Sequence, residues 1–229
     1  VKLEVCARRR TGEFEVDVEF VAEPGITVLF GPSGAGKSTT LAMIAGLLSP
    51  DEGNIRLGAE VWFDAARGTN LAIEHRRVGY VFQSLALFPH LTAVENVAFG
   101  VKGARDVRRR VALDQLSRFR VRHLADRRPK TFSGGEAQRV ALARAFAIEP
   151  RLLLLDEAFS ALDRSLRSEL HADVRDEVAR AKIPTILITH DAADARALGD
   201  HVVLLRGGRV ERAGTPGEVG AELEAEVGA

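Results

Sequence analysis

The stretch Gly31-Pro32-Ser33-Gly34-Ala35-Gly36-Lys37-Ser38-Thr39 fits the pattern G-x-x-x-x-G-K-[ST] and joins two segments of different periodicity. Ile26 to Phe30 is a short apolar, β-prone run, whereas Leu41, Ile44, Ala45, Leu47 and Leu48 follow at helical spacing. The chain must therefore leave a buried strand, turn tightly and enter a helix, which commits this region to an α/β fold. Glycines let backbone N–H groups wrap phosphate oxygens without Cβ clashes, and the helix N-terminus adds positive partial charge. In such a cradle Lys37 would reach the β- and γ-phosphates of a nucleoside triphosphate, and the Ser38 hydroxyl would sit on Mg²⁺.

The remaining pattern extends the fold on both sides. Lys2 to Ala7 and Phe14 to Val21 alternate as strands, the second burying Phe14, Val16, Val18 and Phe20, with a turn near Thr11-Gly12. Pro50 to Gly53 reads as a turn, Asn54 to Leu57 and Val61 to Phe63 as a hairpin around Gly58, and Val78 to Phe82 as another buried strand. From Leu91 to Ile148 the period becomes helical. Thr92 and Glu95 have capping-box spacing ahead of Val94, Val97 and Ala98; a second helix is expected over about 106–119 and a third over about 136–148, stopped by Pro150. Strands return at Leu152 to Leu155 and Thr185 to Thr189, separated by a helix with Leu166, Leu170, Val174 and Val178 on one face. His201 to Leu205 and Arg209 to Ala213 flank Gly207-Gly208 as a hairpin. Alternating strands and helices imply a mainly parallel sheet covered on both sides. The expected fold class is thus α/β, with an antiparallel β portion at the N-terminus and a helical lobe of about 84–149 inserted into a core of about 1–83 and 150–229, all one domain.

Composition narrows the compartment. No apolar run approaches the ~20 residues that span a bilayer. The single Cys6, expected in a strand, cannot form an internal disulfide, and the N-terminus lacks a signal-peptide core, so a reducing cytoplasm is expected. Formal net charge is zero, which gives no reason to expect a nucleic-acid partner. Charge is nonetheless uneven: Arg105, Arg108, Arg109, Arg110, Arg118 and Arg120 begin a basic segment that runs to Lys130, and the tail carries Glu218, Glu222, Glu224 and Glu226. A solvated helical face is the plain reading of the basic segment; a surface for a membrane or an acidic partner is the other.

Two further segments carry chemistry. Leu152-Leu153-Leu154-Leu155-Asp156-Glu157 puts two carboxylates at the C-terminal end of a buried strand, where open α/β sheets bind ligands. Asp156 would hold Mg²⁺ and Glu157 would polarise an attacking water. In Thr131-Phe132-Ser133-Gly134-Gly135-Glu136, a Ser and two glycines at a helix N-terminus form either a plain N-cap or a second anion cradle. One chain has no obvious need for two phosphate sites, so this feature points to a dimer.

With these residues the sequence resembles the ATP-binding-cassette (ABC) ATPases over essentially its whole length. Ser133-Gly134-Gly135-Glu136 is similar to that family's signature loop, Gln83 to its Q-loop, Ser160-Ala161-Leu162-Asp163 to its D-loop, and Thr189-His190-Asp191 to its switch histidine. The resemblance implies a P-loop NTPase core with ATP and Mg²⁺ as cofactors. It implies that residues 31 to 39 bind phosphate, that Ser38, Gln83 and Asp156 approach the metal, and that Glu157 is the general base. It further implies that Gln83 touches the attacking water and links to the transport partner, that His190 contacts the γ-phosphate, and that Ser133, Gly134, Gly135 and Asp163 complete the site of a second protomer. Phe132, Glu136 and Ala158 stand where Leu, Gln and Pro are common, and none of these removes a catalytic group. The aromatic that usually stacks on adenine has no counterpart near Ala7 to Arg10; Phe14 is the nearest candidate, with Arg8 or Arg10 as alternatives.

Arg76 to Gln83 and Leu87 to Thr92 are similar to importer ATPases for oxyanions, sugars and polyamines, and Asp64 to Gly68 most to the molybdate-importer subunit. The implied partners are a second copy with ATP, a separate permease and, indirectly, a solute-binding protein, with the chain peripheral on the inner face of the membrane. Molybdate or tungstate is the expected solute; sulfate, a polyamine, a sugar or iron are the alternatives, and a DNA-repair or ribosomal ATPase of the same fold is the rival class. Such importer subunits usually carry a further small β-rich regulatory domain, whereas this sequence stops at Ala229.

Overall fold

Alternation in the first twenty residues folds as a hairpin: β1 (Leu3–Thr11) and β2 (Phe14–Ala22) pair antiparallel from Leu3↔Ala22 to Thr11↔Phe14. The computed structural model describes residues 1–160 and 162–225, so Ala161 of the D-loop-like motif and Glu226 of the acidic tail lie outside the described residues. Val16, Val18 and Phe20 are buried as their period demands, but Phe14 is 38% exposed. It pairs with Thr11 at the hairpin tip, beyond the edge of the core.

The chain continues through β3 (Gly25–Phe30), α1 (Lys37–Ala45), β4 (Glu52–Leu57), β5 (Glu60–Asp64), the two-residue β6 (Thr69–Asn70), the short α2 (Ile73–Arg76) and β7 (Val78–Val81). Three helices follow before the next strand: α3 (Ala93–Ala98), α4 (Arg105–Arg118) and α5 (Gly134–Ala147). Then come β8 (Leu152–Asp156), α6 (Arg164–Ala181), β9 (Pro184–Ile188), α7 (Ala192–Leu198), β10 (His201–Arg206), β11 (Arg209–Gly214) and α8 (Gly220–Ala225). Neither β6 nor α2 was expected from the pattern. A two-residue strand and a single helical turn are too short to show a period.

The strands form one sheet in the order β6-β5-β4-β1-β2-β11-β10-β3-β9-β8-β7. From β10 through β3, β9, β8 and β7 every pairing is parallel, while β1, β2, β4, β5 and β6 form an antiparallel portion. Period-two alternation sends successive residues of the parallel strands to opposite faces. Leu153 and Leu155 join one buried cluster, and Leu152 and Leu154 the other. The first cluster runs on into α3, α4 and α5, so the helical lobe shares its hydrophobic packing with the sheet. The second packs α1 and the antiparallel portion, with Trp62 wholly buried. On α6, Leu170, Val174 and Val178 are buried as expected, but Leu166, in the first turn of the helix beside Gly135, is 39% exposed.

Candidate functional site

The phosphate loop takes its shape from close backbone approach. A Cβ on Gly31 would lie 2.1 Å from the Leu205 carbonyl of β10, so only glycine fits where the loop leaves β3. Ala35 packs inward at 3% exposure, which turns Pro32, Ser33 and Gly34 outward. Lys37 is buried, and its Nζ donates to the carbonyls of Gly31 (2.7 Å) and Pro32 (2.8 Å). Its ammonium therefore lies inside the curl of the loop. Ser38 is exposed and Thr39 half-buried at the start of α1.

Strand β8 delivers the two carboxylates beside this loop. Ser38 Oγ donates to Asp156 Oδ1 at 3.4 Å, and Tyr80 Oη from β7 donates to Oδ2 at 3.5 Å. Burial raises the Asp156 pKa, the neighbouring Glu157 charge raises it further, and the Ser38 and Tyr80 hydroxyls and Lys37 partly offset this. Burial likewise pushes the Tyr80 phenol up, and Asp156 adds to the shift. Glu157 has left the strand. Its φ of 48° is left-handed, and its N–H donates to Ile188 O of β9 at 3.1 Å. Both carboxylate oxygens of Glu157 are engaged: Gln83 Nε2 donates to Oε2 at 2.9 Å, and His190 Nδ1 lies 3.3 Å from Oε1.

These residues arrive from the ends of β7, β8 and β9, so three parallel strands aim their C-terminal ends at one point. A cavity of about 510 Å³ lies there, lined by Phe14, Lys37, Ser38, Thr39, Glu157 and the exposed turn of the phosphate loop. Neither Arg8 nor Arg10 lines it; Arg8 pairs with Glu15, and Arg10 Nε donates to Gly12 O. The oxygen donors of Ser38, Asp156 and Gln83 suit a hard cation such as Mg²⁺, which takes one or two carboxylates and completes its shell with phosphates and water. Among the described residues there is no group of three His, Cys, Asp or Glu that could hold a metal by itself.

The second glycine segment does not reach this cavity. Ser133 Oγ accepts from Glu136 N at 3.3 Å while Ser133 N donates to Glu136 Oε2 at 2.7 Å, a complete capping box at the head of α5. Within the chain the N-cap reading holds. A Cβ on Gly134 would meet nothing within 4 Å, so no intrachain contact requires glycine there, whereas Gly135 faces Leu166. Asp163 caps α6 through the N–H groups of Ser165 and Leu166, both at 3.0 Å. Sequence reasoning missed Tyr80 as a partner of Asp156 and Arg167 as a bridge. Arg167 pairs with Asp191, next to His190, and donates to Leu162 O at 3.3 Å. Neither residue belongs to a spacing pattern, so only the packing shows its partner.

Comparison with known proteins identifies the family. Residues 17–160 match the family model described as ABC transporter. The molybdenum import ATP-binding protein ModC of Brucella abortus is 40% identical over 224 residues, 98% of this chain and 62% of its own. This chain thus spans less than two thirds of that relative. A sulfate/thiosulfate import ATP-binding protein, CysA 2 of Rhizobium meliloti, is 44% identical over 93% of this chain and 59% of its own. The molybdate/tungstate import ATP-binding protein WtpC of Archaeoglobus fulgidus is 40% identical over 98% of this chain and 92% of its own. Among solved structures, the dimeric ATP-binding cassette MJ0796, in a post-hydrolysis state bound to ADP and Pi, superposes with a TM-score of 0.79 at 30% identity, covering 94% of this chain and 99% of that one.

Proposed function

Because this chain belongs to the ABC transporter family, we propose that it is the ATP-hydrolysing subunit of an importer, working as a nucleotide-sandwich dimer beneath a separate permease. The observation that carries this reading is the Glu157 carboxylate, held between Gln83 and His190 at the wall of the phosphate-loop cavity. Lys37 and the loop N–H groups bind the phosphates, and Phe14, in the cavity wall, stacks on adenine. Ser38, Asp156 and Gln83 would hold Mg²⁺, which would supply positive charge against the phosphates. Glu157 accepts the proton of the attacking water, Gln83 orients that water, and His190 meets the γ-phosphate. Ser133, Gly134, Gly135 and Asp163 act on the nucleotide of a second copy, which accounts for the open approach at Gly134 and for their absence from this chain's own cavity.

Residues of about 84–149 form a lobe of the same ATPase unit, and its edge meets the permease. Leu85 and Leu87 are half-buried against the core, so the apolar surface on offer is led by Phe99, 63% exposed, and Phe82, 36% exposed, around a cleft floored by Tyr80, Ala86 and Phe88. No described helix is long and apolar enough to cross a membrane. We place the chain on the cytoplasmic face, held there by the permease. The solute is molybdate or tungstate, supported by the Asp64 to Gly68 segment and by the ModC and WtpC relatives. Sulfate is the second reading, favoured by the 44% identity to a sulfate/thiosulfate relative. In cells lacking this chain, molybdate uptake should fall while sulfate uptake stays normal; the opposite result would select sulfate.

Hydrolysis is tested with Glu157→Gln, which keeps shape and a hydrogen bond but loses the base. Phosphate release should drop by the ~10²–10⁴ typical of removing a general base, while ATP binding persists. Hydrolysis at the parent rate would remove Glu157 from the mechanism.

A further inference from the structure

The loop that follows Gln83 contains two consecutive non-glycine residues in the left-handed region, Leu85 at φ 58° and Ala86 at φ 45°. L-residues avoid this region because Cβ crowds the backbone, so a pair of them persists only where surrounding contacts hold it. The turn's own bonds are Leu85 N to Phe82 O at 2.8 Å and Ala86 N to Ser84 O at 2.7 Å. The Leu85 side chain packs against the core, and a further contact on the turn comes from α5. One Arg144 terminal nitrogen donates to Leu85 O and the other to Ala86 O, both at 2.7 Å, and the guanidinium lies 5.6 Å from the Phe88 ring centroid. A planar fork thus takes two adjacent carbonyls at once, a geometry an ammonium does not reproduce. Farther along the loop, buried Asn96 of α3 holds Phe88 through its N–H (2.8 Å) and its carbonyl (3.2 Å).

We propose that Arg144 is a positioning residue for hydrolysis: by clamping the Leu85–Ala86 turn it keeps Gln83 on Glu157, and it ties that contact to the helix headed by Ser133. The inference rests on the hydrolytic role given above to Gln83 and Glu157. Arg144 touches neither nucleotide-binding nor reacting groups. Its effect should therefore fall on turnover and not on substrate affinity. Movement of α5 as a body would draw the turn, and Gln83 with it, relative to Glu157.

The test compares the full chain with Arg144→Lys and Arg144→Ala by MgATP kinetics and by amide hydrogen exchange. Loss of the clamp should speed exchange at Leu85 and Ala86 by about tenfold while Glu136, inside the α5 capping box, stays protected. Turnover should fall about tenfold with KM for MgATP within about twofold of the parent. Adding Ala86→Gly to Arg144→Lys should restore part of the lost turnover, since glycine accepts the left-handed conformation without the clamp. Unchanged exchange at Leu85 and Ala86 would overturn the clamp. Faster exchange with parental turnover, or no recovery with Ala86→Gly, would overturn the link to catalysis. A parent chain that hydrolyses no ATP would defeat the functional reading, and the exchange measurement would still decide whether Arg144 holds the turn.

Discussion

Glu157 combines a left-handed backbone with a carboxylate gripped on both oxygens, and Asp156 beside it pays for its place in burial. With its folded pKa raised above the ordinary 3.8, the native chain retains a proton at Asp156 that the unfolded chain has already released. Stability from this group is therefore greatest at low pH and falls as pH rises through the raised value. Asp156→Asn should flatten that dependence and raise the neutral-pH melting temperature of the nucleotide-free chain, at about 2–4 °C per kcal/mol for a chain of this size. A lower midpoint in calorimetry would reverse the sign of the argument. Lys37→Ala removes the ammonium held inside the phosphate loop and should abolish ATP binding with the fold intact; tight binding in titration calorimetry would contradict it. Phe14→Ala should weaken ATP binding and leave turnover at saturating nucleotide near the parent value. Equal affinity would take Phe14 off the adenine.

Among the elements, α1 depends on a residue 31 positions beyond its last turn. Its final carbonyls have no partner within the helix and carry the negative end of its dipole. Arg76, wholly buried at the end of α2, donates to Met43 O at 3.1 Å and Ile44 O at 2.8 Å, and also to Leu71 O, Trp62 O and Asn70 Oδ1. Its guanidinium so closely fills the space beside Gly46 that a Cβ there would come within 2.8 Å of Arg76 Cζ. One side chain fastens the phosphate-loop helix to the antiparallel portion of the sheet. Arg76→Met takes the guanidinium from Ile44 O and Leu71 O, whereas Met43 O keeps the Gly46 N–H and Trp62 O keeps the Leu71 N–H; at about 1–3 kcal/mol for each carbonyl left unpaired, the chain should lose a few kcal/mol in urea unfolding. A change below about 1 kcal/mol would show that water replaces the guanidinium.

At the scale of the whole molecule, the basic segment proves to be more than a solvated face. Arg120 pairs with Asp173 at 2.9 Å and Arg118 with Glu177 at 3.3 Å, while buried Arg139 joins Asp173 and Glu169. Part of the lobe's positive charge thus anchors it to α6 of the core. The dimer supplies the remaining prediction. On the proposed mechanism Glu157→Gln, slowed in hydrolysis, should run as a dimer on size exclusion with MgATP, and adding Ser133→Arg should return it to a monomer by placing bulk where the partner's γ-phosphate would fit. A doubly substituted chain that stays dimeric would separate Ser133 from the interface.

Local sequence determined the strand-loop-helix around Lys37, the buried run ending in Asp156 and Glu157, and both capping boxes at Thr92 and Ser133, because each depends on neighbours within a few residues. Tertiary structure decided what periodicity does not encode. It exposed Phe14 and moved it to the cavity wall, drew Tyr80 onto Asp156, joined Arg167 to Asp191, and set Arg144 over the turn after Gln83. A guanidinium or phenol reaches its partner across strands and helices distant in sequence, so its role exists only once the sheet order β3-β9-β8-β7 has brought those elements together.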